Sequence, residues 1–156
     1  MVVSASSTGS PEHAEMAGLN PVEFNAEVVE EFRAKGGYVT GPLADFRLIL
    51  VHHIGARSGV ERVVPLVYFP RSDRRWMIVA SNGGSCSHPA WYYNLKAHPE
   101  VTVELGTERF RVVAEELDAE ARSLVWPTIV EQSPAAGEFQ GAITRRIPVF
   151  VLTREE

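Results

Sequence analysis

Arg57 and Arg62 bracket a tight turn in the segment GARSGVER (55–62), with Ala56 and Ser58 between them. Two guanidinium groups, a hydroxyl and the amides of a turn framed by Gly55 and Gly59 could grip a phosphate or carboxylate. Arginine presents its donors as a fixed fork, and a turn with left-handed glycines can aim N–H groups at one anion. On spacing alone, a solvated hairpin turn is the simpler reading. Further along, ASNGGSCSHPAWYYNL (80–95) contains no Asp, Glu, Lys or Arg. Its Ser81-Asn82-Gly83-Gly84 stretch offers bare backbone at the end of a strand, where no bulk prevents close approach. Trp91, Tyr92 and Tyr93 follow, and three consecutive rings on a helix cannot all face one core. Together the two segments suit a flat ligand with polar edges and an anionic tail.

Other chemistries are less well supported. His52 and His53 are adjacent on an expected strand, so they point to opposite faces and cannot chelate one ion together. His88 and His98 flank an expected helix without acidic or thiol ligands at metal spacing, and there is no HExxH, CxxC or HxH. No metal is expected. Ser58 is out of register for a GxSxG elbow and joins two hairpin strands, whereas that elbow joins a strand to a helix. Cys86 has only His88 as a basic neighbour in sequence and reads as a buried or incidental thiol. No side chain is assigned a catalytic role.

The elements that must position these groups follow from periodicity. FNAEVVEEFRAKGG reads as a helix of about three turns, capped by Asn25, stapled by Phe24 and Val29, and stopped at Gly36-Gly37. Glu31 and Lys35 form an i,i+4 pair. Strands are expected at 48–54, 61–69, 75–81, 100–105, 108–117 and 146–152. The fourth and fifth form a hairpin by their period-two alternation. Pro65 marks an edge or a bulge in the second strand. Pro89 should start a helix running to about Ala97. Asp118 should cap another, disturbed by Pro127, and the segment 135–142 is unassigned. Six strands in meandering order without βαβ alternation suggest a small barrel and argue against a doubly wound sheet.

Composition sets the outer bounds. The 156 residues are enough for one domain, with 45% apolar and 22% charged residues. Residues 1–20, rich in Ser, Ala, Gly and Pro, should form a flexible tail ahead of a single domain over 21–156. A net charge of −5 argues against a nucleic-acid coat. A lone cysteine fits a reducing, cytoplasmic setting. No window approaches the ~20 apolar residues of a membrane span.

The ordered series GARSGVERVVPLVYF, WMIVASNGGSCSHPAWYYNLKAHPEVTVEL and TRRIPVFVL resembles the deazaflavin-dependent nitroreductase family of actinobacteria, across residues 24 to 152. The resemblance implies an α+β split β-barrel that binds coenzyme F420, with FMN as the alternative cofactor. It places the anionic tail at Ala56, Arg57, Ser58 and Arg62. The ring groove would run along Val63, Val64, Pro65, Leu66 and Val67, with Val79, Ala80, Ser81 and Asn82 at the ring edge. Trp91, Tyr92 and Asn94 would close the pocket. Ser133, Ala136 and Phe139 would line the acceptor pocket, where the best-known family members carry tyrosines; this departure puts bicyclic nitroimidazole reduction in doubt. Arg33 and Lys35 could add attraction for the tail. His53 stands where the family has threonine; it could donate a proton locally, though a structural role is the simpler reading. The implied activity is hydride transfer from F420H2 to a small conjugated, quinone or nitroaromatic acceptor. A non-catalytic deazaflavin carrier is the rival reading, and the chain does not distinguish monomer from homodimer.

Overall fold

The computed structural model describes residues 21–155, so the expected tail over 1–20 lies outside the described residues. Six strands form the framework: β1 (Leu48–Ile54), β2 (Glu61–Ser72), β3 (Arg75–Val79), β4 (Glu100–Leu105), β5 (Glu108–Glu116) and β6 (Val149–Arg154). They close into a barrel in the order β1-β2-β3-β6-β5-β4, and every neighbouring pair is antiparallel. Two strand ends fall short of expectation for local reasons. β3 stops at Val79 because Ser81 turns to helical angles. β6 starts at Val149, since Pro148 has no N–H and the Ile147 N–H donates to the Gln140 side chain.

Alternation along the strands separates two apolar layers. Ile49, Val51, Leu66, Ile78, Phe150 and Leu152 join the barrel interior with Val101, Val103 and Val112. Leu48, Leu50, Val67, Met77, Val79, Val149 and Val151 face outward beneath helices. β1, β3 and β6 therefore bury both faces, which is why they read as unbroken apolar runs. β5 buries only every second residue.

Four helices cover this framework: α1 (Pro21–Ala34), α2 (Ala90–Ala97), α3 (Ala119–Gln132) and α4 (Pro134–Ala142). α1 begins at Pro21, which is suited to a first helical turn, so Asn25 lies inside the helix and does not cap it. Phe24, Val28 and Phe32 form its buried stripe. The expected Glu31–Lys35 pair forms at 2.7 Å. Glu31 also accepts from the Thr40 N–H and hydroxyl, and the Lys35 hydrogen bond first, then these two, hold its carboxyl down at about 2. Gly37 has φ +104°, and a Cβ there would stand 2.8 Å from the Gly106 Cα in the β4–β5 turn. Only glycine lets the end of α1 sit on that turn. In α3, Asp118 Oδ1 accepts from the Ala121 N–H at 2.8 Å as expected, and the helix continues through Pro127 to Gln132.

β2 is paired on both sides only in part. β1 covers Glu61 to Val67, whereas β3 reaches it only from Tyr68 to Ser72. Pro65 therefore sits on a free edge, and the register shift falls later, between Pro70 and Ser72. The first half of β2 and the end of β1 project from the barrel as a two-stranded ribbon.

Candidate functional site

Where the ribbon leaves the barrel, α1 packs against β2 and the two enclose an open groove of ≈ 810 Å³. Asn25, Val29 and Arg33 line it from α1, His53, Arg62, Val63 and Val64 from the ribbon, and Trp91 from α2. Its size lies in the range of small-molecule sites. Apolar walls meet a few polar groups: Arg62 is exposed at the surface, and the Asn25 Oδ1 is buried without a partner among the described residues.

The opposite directions expected for His52 and His53 are observed. His52 turns to the buried Glu104 of β4, with Nε2 2.6 Å from Oε2. His53 turns to the groove, and its Nδ1 lies 2.9 Å from the Asn94 side-chain nitrogen. The other end of that amide fixes its orientation, because Asn94 Oδ1 accepts from the Ala56 N–H at 2.9 Å. Asn94 therefore donates to Nδ1, and the neutral His53 ring carries its proton on Nε2. Burial, with smaller contributions from the Arg62 and His52 charges, pushes the His53 pKa down to about 4. The ring is neutral at physiological pH.

Arg33 lines the groove, but its charge is already engaged. It makes a two-pronged pair with Glu104, Nε to Oε1 at 3.0 Å and Nη2 to Oε2 at 2.7 Å. The pair holds the Glu104 carboxyl below its ordinary range, with the His52 hydrogen bond adding to the effect. The expected attraction of Arg33 for a ligand tail gives way to a clamp between α1 and the barrel. Lys35 is likewise held by Glu31.

The other expected site residues divide by location. Arg57 and Ser58 lie exposed in the turn, where Ser58 Oγ accepts from the Val60 N–H at 3.1 Å and so serves the turn itself. Pro65, Leu66, Val67, Val79 and Ala80 are buried framework. Ser81 is buried and Asn82 donates to the Ser87 carbonyl. The carbonyls of Ala80 and Ser81 each accept a hydrogen bond from Arg145, at 3.3 and 2.9 Å. Tyr92 stacks on His88 at 4.1 Å and donates to Glu116, away from the groove lining. Ser133, Ala136 and Phe139 do come together, beside Val67, Val79 and Ser81, but the space among them is only ≈ 10 Å³. That is about the limit for one water. Gly84, at φ +84°, accepts the Phe139 ring where a Cβ would lie 2.9 Å from it. The bare backbone of Asn82–Gly84 thus admits an aromatic ring of α4. Cys86 is exposed, not buried.

Arg145 was not singled out from the sequence, yet it organises this whole segment. It donates to the Ser85, Ala80 and Ser81 carbonyls and to His88 Nδ1. The only signal available was indirect: the uncharged segment 80–95 has no cation of its own to bond its loop carbonyls. Asn25 gave no such signal, because its place in the groove depends on how α1 docks.

A closed six-stranded antiparallel barrel with Arg62 on a lateral groove is a split-barrel architecture able to hold an anionic cofactor beside the sheet. The chain belongs to the F420H(2)-dependent quinone reductase family, whose profile matches residues 25–154. It is 36% identical over 109 residues to an F420H(2)-dependent quinone reductase of Mycobacterium tuberculosis, covering 68% of this chain and 72% of that one. Among solved structures, it is similar to an F420-H2 dependent reductase at 39% identity and TM-score 0.61, covering 67% of this chain and 92% of the other. A structure described as a domain-swapped dimer matches at 35% identity and TM-score 0.63, over 85% and 99%. A heme storage protein of Vibrio cholerae shares the fold alone, at 16% identity and TM-score 0.52. Family membership implies coenzyme F420 as the cofactor. The groove fits it in three respects: volume, an arginine at one end, and a buried polar atom awaiting a partner. No helix among the described residues is long and apolar enough to cross a membrane.

Proposed function

We propose that this protein transfers a hydride from F420H2 to a quinone, with the cofactor lying in the groove between α1 and the β1–β2 ribbon. The observation that carries this reading is the groove itself, with Arg62 at its mouth and Val63, Val64 and Trp91 along its walls. The reduced deazaflavin, when bound, supplies the hydride. The chain supplies binding and orientation. Arg57 and Arg62 hold the anionic tail by charge-assisted hydrogen bonds. Val63, Val64 and Trp91 offer an apolar wall to the ring. Asn94 and Ser58 fix the turn from which Arg57 projects. Ser133, Ala136 and Phe139 pack together beside Val67, Val79 and Ser81, and their movement would be needed to admit an acceptor there. Small conjugated and nitroaromatic acceptors belong to the same proposal, since a two-electron acceptor needs stacking and a proton source but no protein nucleophile.

The exposed thiol of Cys86 suits a reducing cytoplasm, and the similarity to a domain-swapped dimer supports a homodimer. The test is a binding titration with F420 and FMN, repeated with Arg57→Ala and Arg62→Ala, followed by F420H2 oxidation with a naphthoquinone. Loss of either arginine should weaken F420 by about 1.5–3 kcal/mol, as for a charge-assisted hydrogen bond. Tight FMN binding without F420 binding would sink the assignment.

A further inference from the structure

Two polar groups in the groove have no assigned ligand partner in the reading above. His53 faces Arg62 directly across the β1–β2 ladder, so an anion at Arg62 would lie beside the imidazole. Asn94 occupies Nδ1 and leaves Nε2–H as the ring's donor. On the α1 wall of the same groove, the Asn25 Oδ1 is buried and without a partner among the described residues. An unmade hydrogen bond of that kind is costly and is removed by a ligand that brings a donor.

The ligand must therefore offer an acceptor to His53 and a donor to Asn25, close to an anionic group. A quinone or a simple nitroarene offers acceptors only, and a phosphate diester has no donor for Asn25. A hydroxyl both donates and accepts, so a polyol chain ending in a phosphate ester meets all three demands. We propose that His53 and Asn25 together recognise the hydroxylated chain linking the ligand's ring to its phosphate, with Arg62 taking the phosphate. This rests on the F420 assignment above. His53 is suited to the task because it stays neutral and donates a single directed hydrogen bond without adding a second charge beside Arg62. Arg33 across the groove is neutralised by Glu104, and Glu30 on the same helix also lines the wall.

The test uses the full chain and two ligands: F420, and the deazaflavin chromophore that keeps its ribityl chain but has no phosphate. Fluorescence titration should show Asn25→Leu and His53→Phe weakening both ligands at least 5-fold. Arg62→Ala should weaken F420 alone. His53→Gln, which keeps a donor, should recover most of the lost affinity. In the unmutated protein, ¹⁵N NMR should show the Nε2–H tautomer of His53, with that signal moving on addition of either ligand. This readout does not depend on any variant folding. Wild-type affinities in both Asn25→Leu and His53→Phe, or a His53 signal unmoved at saturation, would overturn the inference and leave the F420 assignment standing. A wild-type protein that binds no F420 would overturn the assignment and the inference with it.

Discussion

Asn94 holds His53 by a single hydrogen bond, Nδ2 to Nδ1 at 2.9 Å, while its oxygen takes the Ala56 N–H. One side chain of α2 thus fixes both a groove-lining tautomer and the turn that carries Arg57. Asn94→Ala removes both bonds and should cost about 1–3 kcal/mol of stability, measured by denaturant unfolding. Asn94→Asp keeps the acceptor for Ala56 but presents an anion to Nδ1. It should move the His53 proton to Nδ1 and raise its pKa from about 4, a change that ¹⁵N NMR reads directly.

The depressed His53 pKa has a thermodynamic consequence. The folded value is about 4, against 6.5 for the free side chain, so the unfolded chain binds this proton first as pH falls. The stabilising contribution is complete above pH 6.5 and is lost progressively as pH falls from about 6.5 to about 4. The full loss is on the order of 3 kcal/mol, as an upper figure. His53→Gln should flatten the stability profile in that window. Glu104, whose pKa is lowered, contributes its own loss as pH falls from the ordinary carboxylate value of 4.5, at the acid edge of this window. An unchanged slope between pH 6.5 and 4.5 in the variant would contradict the buried neutral ring.

Arg145 ties four acceptors in 80–88 to the chain just before β6. Lysine cannot reproduce a planar fork, so Arg145→Lys should destabilise the protein by roughly 2–4 kcal/mol, taking two or more lost hydrogen bonds at the usual worth. Amide hydrogen exchange should speed up first in 81–88, ahead of the barrel strands.

Gly84 and Phe139 touch where a Cβ would not fit. Gly84→Ala combines a left-handed backbone with a clash against the ring, and should cost about 1–3 kcal/mol. Removing the ring in Phe139→Ala should make the second substitution cheaper, leaving mainly the backbone cost. Strict additivity in that double-mutant cycle would mean the ring is not what Gly84 accommodates.

The barrel was largely legible because period-two alternation is local: the bounds of β1 and β4 fall where the pattern places them. The start of α1 is hidden because Asn25 looks like a cap, whereas the helix begins at Pro21 and its buried stripe of Phe24, Val28 and Phe32 already includes the residue before Asn25. α4 was unassigned because its glycines and Pro134 weaken any helical signal, and contacts such as Ala136 in the core and Phe139 on Gly84 are made only in the fold. In the site, Arg62, Val63, Val64 and Trp91, from two separate motifs, line one groove. Arg33 could not be read correctly, since its partner Glu104 lies 71 residues away. The Arg145 bonds to the Ala80 and Ser81 carbonyls, which tie the expected ring-edge segment to the chain before β6, span 65 and 64 residues and are hidden from local pattern for the same reason. Long-range pairing of charged and polar groups is the part of the site that local pattern does not encode.

The central claim is that F420H2 binds in the α1–ribbon groove and delivers its hydride to a quinone. The most direct measurement is F420H2 oxidation by a naphthoquinone, followed by the return of the oxidised deazaflavin's visible absorbance, in wild type and Arg62→Ala. Enzyme-dependent turnover is expected in the wild type, with the apparent KM for F420H2 raised at least ~10-fold in Arg62→Ala for a lost charge-assisted contact. No turnover above the uncatalysed rate, or a KM indifferent to Arg62, would contradict it.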